Sequence, residues 1–156
     1  MRRKIVRRTE SQRLAEFSLV VRQSTLKRLR AVPQGAENFR AVPDALSFAE
    51  TAAHLIDADR WLLRKTEDES LEPLTGPVRR FDVESRGRFD RLVEELEHCG
   101  AERRALLAGL LEYHLQRPVV DSRFGGEVTL WWVIVRGNLD HEIHHRGQIA
   151  AWLRMV

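Results

Sequence analysis

The chain has 156 residues, 43% of them apolar and 31% charged, with a single cysteine. That length buries a core without cross-links, the composition excludes a disordered chain, and one cysteine excludes an internal disulfide. The net charge of +3 is local: Arg2, Arg3, Lys4, Arg7 and Arg8 supply five of the 26 basic residues, leaving 21 against 23 acidic ones. A nucleic-acid binder carries its basic surface on the folded body, so nucleic acid is not an expected partner. Residues 1–8 are expected to form a flexible basic extension ahead of one domain over 9–156. No apolar h-region follows the basic start and no run is long enough to span a bilayer, so a cytoplasmic protein without a membrane partner is expected.

The first predicted helix runs from Thr9 to Arg30, with Leu14, Phe17, Val21 and Leu29 near one face and Val20 and Leu26 broadening it. Pro33 and Gly35 stop it, and Asn38-Phe39-Arg40 in the connection is expected to dock back on the body. Ser47 followed by Glu50 forms a capping box for a second helix, predicted to reach about Lys65. On a helical wheel His54, Ala58 and Trp61 share one face of it. Residues 67–82 hold Pro73, Gly76 and Pro77 and read as a loop.

A third helix is predicted over 83–111, with a seam of Phe89, Leu92, Val93, Leu96, Leu107, Leu110 and Leu111. Gly100 in it marks a kink or a close approach, and Cys99 is placed near its outer side. Pro118 to Gly126 breaks the chain again, with a turn at Phe124-Gly125-Gly126. Thr129 is the expected N-cap of a last helix running nearly to Val156. One face of that helix carries Leu130, Ile134, Gly137, His141, His145, Gln148 and Trp152. A second apolar side, with Trp132, Leu139, Ile143 and Ala150, points to cover by a second subunit and so to a homodimer. The coarse reading is an all-α four-helix bundle.

His141 and His145 are four residues apart, so both imidazoles project from one face, one turn apart. Two such rings buried together need partners and repel when protonated, and a shared metal ion resolves both problems. Two histidines leave a site open, and His54 is the expected third ligand. His98 falls opposite the seam and is expected at the surface, His114 at a helix end, and His144 on the flank.

The run His141-Glu142-Ile143-His144-His145 also matches the H-E-x-x-H pattern of zinc proteases. Such enzymes usually take a third ligand downstream, and no His, Asp or Glu follows His145. The extended form fails at Gln148 and Ala151. A di-iron bundle would use Glu95 with His98 and Glu142 with His145, but Glu95 and His98 point away from the seam.

The helix Ala-Ala-His-Leu-Ile-Asp-Ala-Asp-Arg-Trp at 52–61 and the later His-Glu-Ile-His-His-Arg-Gly-Gln-Ile at 141–149 resemble the DinB/YfiT-like superfamily, from about Leu14 to Leu153. The resemblance implies a four-helix bundle, usually dimeric, with a divalent metal held by three histidines falling on His54, His141 and His145. Some members of that superfamily transfer bacillithiol or mycothiol, and one is a mycothiol-dependent isomerase.

Three neutral imidazoles leave a divalent ion its full charge and an open position. The ligand set suits zinc, nickel, copper or iron. The expected function is therefore thiol-dependent S-transfer to a small-molecule electrophile, with a low-molecular-weight thiol as co-substrate. Ala58, Trp61, Gln148 and Trp152 are the candidate pocket lining. Metal-dependent hydrolysis, with Glu142 as the only available base, and a non-catalytic metal-binding stress or sensor module are the alternatives.

Overall fold

The computed structural model describes residues 7–73 and 76–156, so most of the expected basic extension lies outside the described residues. Three long helices start from hydroxyl caps. Thr9 caps α1 (Glu10–Arg30), Ser47 caps α2 (Phe48–Glu67), and Ser85 caps α3 (Arg86–Gly109). A short α4 (Glu112–Gln116) follows, then a hairpin of β1 (Pro118–Asp121) and β2 (Gly126–Thr129) around a 3-10 turn. The hairpin is antiparallel, pairing Pro118 with Thr129 and Asp121 with Gly126. Gly125 and Gly126 turn the chain at φ 85° and 125°, values that only glycine adopts freely. The fourth long helix covers 130–152 in three parts: α5 (Leu130–Trp132), a π-helical segment (Val133–Leu139) and α6 (Asp140–Trp152). Four long helices thus pack as an all-α bundle, with the hairpin beside the last one. Among the described residues no helix is long and apolar enough to cross a membrane.

The capping box at Ser47 does more than start a helix. Glu50 is fully buried, and its carboxylate accepts from Ser47 N, Phe81 N and the Arg40 guanidinium at 2.8–2.9 Å. Asn38 exchanges two 2.9 Å hydrogen bonds with the backbone of Val83, and Phe39 stacks on Phe48. The connection therefore docks back as expected and ties the 76–85 loop to α2.

The core is two apolar clusters. One gathers Leu26, Phe48, Leu55, Phe89, Leu96, Ile149 and Trp152; the other Leu14, Trp61, Leu62, Leu107, Leu130 and Leu139. Between them in every long helix sits one buried charge: Arg22 in α1, Asp59 in α2, Arg103 in α3 and Glu142 in α6, each at most 3% exposed. Arg22 contacts Asp59 at 2.7 Å and Glu142 at 2.8 Å; Arg103 contacts them at 2.8 and 2.7 Å. Ser18 and Asn138 complete the layer through Arg103 at 2.8 and 3.0 Å. Gly100 is the close approach the sequence suggests: a Cβ there would lie 2.8 Å from the Arg22 side chain.

Several sequence expectations change for physical reasons. Burying Ser18, Arg22 and Thr25 rotates α1, leaving Phe17 and Val20 48% and 61% exposed. Leu110 and Leu111 lie beyond the end of α3, and Leu111 is exposed. Cys99 is buried, because the inward line of α3 runs through Leu96, Cys99, Arg103 and Leu107. Leu139 is fully buried, since the π segment adds a residue to the turn and swings it inward. Trp132 alone of that second apolar side is exposed.

Lys65, also buried, donates to three carbonyls, those of Glu69, Leu71 and Val120.

Arg103→Met should cost about 3–5 kcal/mol, because it leaves the two buried carboxylates of Asp59 and Glu142 to share the single guanidinium of Arg22, one buried charge uncompensated; urea unfolding measures it. A second expectation concerns Glu50. Burial alone would raise its pKa, but Arg40 and the Ser47 and Phe81 N–H groups outweigh that and hold it at about 2. A depressed carboxylate stabilises the fold above its unfolded pKa and loses that contribution as pH falls through the folded value. Glu50→Gln should therefore be about 1–3 kcal/mol less stable at pH 7, with the gap to the parent closing between pH 4.5 and 2 in chemical unfolding.

Candidate metal centre

α2 presents His54 and α6 presents His141 and His145 one turn apart, just after the π segment. The Nε2 atoms converge: His54 to His141 is 2.9 Å and His145 to His141 is 3.1 Å. One ligand atom from each ring lies within 4.8 Å of the others. The rings stand nearly perpendicular, with centroids 4.6–5.0 Å apart. Metal–nitrogen bonds of about 2.0–2.1 Å in a tetrahedral shell place ligand nitrogens about 3.3 Å apart, close to the two separations that His141 makes with His54 and His145.

The protonation states suit the same purpose. Burial pushes all three imidazoles below their ordinary value, His141 to about 4 and His145 to about 3; neighbouring rings add to the effect at His141 and His145, and Asp57 partly opposes it at His54. At neutral pH three uncharged rings therefore face one point. The Nδ1 of His145 donates to Gln148 Oε1 at 2.8 Å, which turns the lone pair of Nε2 toward the other two rings. The donor set fits a divalent ion, and no carboxylate in it would neutralise that ion's charge.

The family model described as the DinB superfamily matches residues 19–149. The chain belongs to the DinB superfamily. A crystal structure of a DinB-like protein from Bacillus subtilis superposes with a TM-score of 0.68, covering 92% of this chain and 90% of that one at 17% identity. That likeness shows a shared fold. The comparison with curated proteins gives no match.

In this DinB-superfamily chain His54 and His141 open on a cavity of about 350 Å³ that Ala58, Trp61, Arg123, Gly137 and Arg79 also line, while His145 lies behind it. A second cavity of about 320 Å³ adjoins it on the other side of His54 and Asp57, toward Phe81 and Leu92. Trp61 serves two roles: it is buried in the core, and its Nε1 donates to Glu72 O while the ring faces the cavity. Gln148 and Trp152 line neither cavity. Gln148 acts on His145, and Trp152 packs edge-on against Phe48 in the core.

The other singled-out groups fall elsewhere. His98 is exposed beside Glu102, Glu95 pairs with Arg60 at the surface, and His114 accepts from Leu111 N at its helix start. Glu142, the acid of the H-E-x-x-H match, points into the bundle, where Arg103 and Arg22 hold it well below the usual carboxylate range despite burial. Burial and Asp59 push the Cys99 thiol up. Sequence reasoning missed Arg123. Its guanidinium lies 4.6 Å from the Trp61 ring, and only the unforeseen hairpin brings it there.

Protein purified without a nickel column should carry about one divalent ion per chain. Alanine at His54, His141 or His145 should remove most of it by metal analysis, and His98→Ala should not. Gln148→Ala should weaken metal affinity about 10–100-fold by loosening His145.

Proposed function

We propose that this DinB-superfamily protein holds a divalent metal on His54, His141 and His145 and uses it to transfer a low-molecular-weight thiol to a small electrophile. The observation that carries this reading is the combination of an all-imidazole triangle with a cavity whose described lining residues include no cysteine, serine, threonine or lysine. A divalent ion held there supplies Lewis acidity, which lowers the pKa of a thiol to the point of ionisation at neutral pH. Trp61 and Ala58 give the apolar wall and the room for an organic electrophile. Cys99 is sealed in the core, so the sulfur comes from a co-substrate. Gln148 keeps His145 oriented through the cycle.

Hydrolysis is the second reading, and one observation favours it: Asp57 is exposed on both cavities beside His54. It replaces Glu142, which its two arginines have taken out of reach. A homodimer belongs to the same proposal, with exposed Phe17, Val20 and Trp132 as apolar surface for a second copy to cover.

Metal-loaded protein incubated with epoxide or chlorinated electrophiles should form thioether conjugates only when bacillithiol, mycothiol or glutathione is added. Mass spectrometry should show the product abolished in His54→Ala and retained in Asp57→Asn. Metal-dependent ester cleavage without thiol, lost in Asp57→Asn, would select hydrolysis instead.

A further inference from the structure

Arg123 is held in an unusual way. Its Nε and Nη2 donate to the buried Asp121 carboxylate at 3.0 and 2.7 Å, and Nη1 donates to Gly137 O at 3.3 Å. A guanidinium has five N–H donors, so one on each terminal nitrogen has no partner among the described residues. The plane is pinned between the Trp61 ring at 4.6 Å and the Phe124 ring at 5.4 Å. A Cβ on Gly137 would lie 2.6 Å from Nη2, so the guanidinium occupies the place of a side chain. Glycine inside a helix is unfavourable relative to alanine, and here it admits a charge to the wall of the cavity that His54 and His141 share. Arg79, exposed on the facing loop with its guanidinium carbon 5.8 Å from the Phe81 ring, lines the same cavity and has no carboxylate partner among the described residues.

We infer that Arg123 and Arg79 form an anion subsite beside the histidines, and that the organic substrate is a carboxylate whose apolar body lies on Trp61. Arg123 gives the fixed, directional half, two N–H groups for two carboxylate oxygens. Arg79 gives the second, solvent-facing half from the loop. Asp121 balances the charge of Arg123 through Nε and Nη2, leaving its other N–H groups, and Asp57, which lines the same cavity, acts on His54. This deepens the proposed function by naming the substrate class, and it rests on that reading for the role of the neighbouring metal.

The test is calorimetric titration of phenylacetate, with phenylacetamide as the neutral control, into metal-free and zinc-loaded protein. Phenylacetate should bind both forms and the amide about tenfold more weakly, the scale of one charge-assisted contact. Arg79→Gln and Arg123→Gln should each weaken phenylacetate about tenfold and leave the amide unchanged. Arg123→Lys should recover part of the loss, and Gly137→Ala, which displaces the guanidinium, should resemble Arg123→Gln. Arg79 is exposed, so its variant reports even where Arg123 variants fail to fold. Equal binding of acid and amide, no binding of the acid, or binding that needs zinc and ignores both arginines would overturn the subsite. Arginine-dependent binding in protein that takes up no zinc would leave the subsite standing and reject the metal reading alone.

Discussion

The bundle depends on four charges that meet where its helices cross. Arg22, Asp59, Arg103 and Glu142 each come from a different long helix, and in each helix the charge lies between residues of the two apolar clusters. Apolar packing alone tolerates a helix that slides or rotates slightly. A buried set of two guanidinium and two carboxylate groups does not, because any shift strands a charge at low dielectric. The net stability from such a set is small, since desolvation opposes the attraction. Its effect is on register, and register is what a metal triangle needs.

The consequence for the site is direct. Asp59 is five residues beyond His54, and Glu142 adjoins His141, so fixing the two carboxylates fixes the helices that carry the ligands. The π segment contributes from the same place. It brings Asn138 onto Arg103 and Leu139 into the core, and it sets the phase of α6 so that His141 and His145 face His54. Glu142 therefore belongs to the scaffold, and the match to the protease pattern is a coincidence of spacing on a helix whose acid faces inward.

Much of this was legible in the sequence. The spacing of His141 and His145, the capping box at Ser47, and the docking of Asn38 to Arg40 are local patterns, and local patterns survive folding. The charged layer was not read, because a lone Arg or Glu on a wheel is ordinarily solvated. A signal was present nonetheless. Arg103 is four residues from both Cys99 and Leu107, and Arg22 four from both Ser18 and Leu26, so each sits on the inward line of its helix. The register shift in the last helix was illegible, since an α-helical wheel assumes 3.6 residues per turn throughout. That assumption put Leu139 outside. The hairpin escaped because Val119 and Val120 between Pro118 and Asp121 make too short a run to announce a strand. With it went Arg123.

Lys65 bears on how the cavity meets its ligand. Its ammonium, anchored near the end of α2, collects carbonyls from the segment after that helix and from β1. The hairpin carrying Arg123 and the chain leading to Pro73 are therefore moored to the same helix that offers His54 and Trp61. Wall and floor share one foundation, so thermal motion displaces them together and the distance between guanidinium and imidazole is conserved. Adaptation to different ligands then falls to the opposite bank, where the loop is held at Arg80, Phe81 and Val83 but the exposed Arg79 side chain has no ion-pair partner among the described residues. Selectivity for size would be dictated by the moored side, and tolerance for shape by the exposed one.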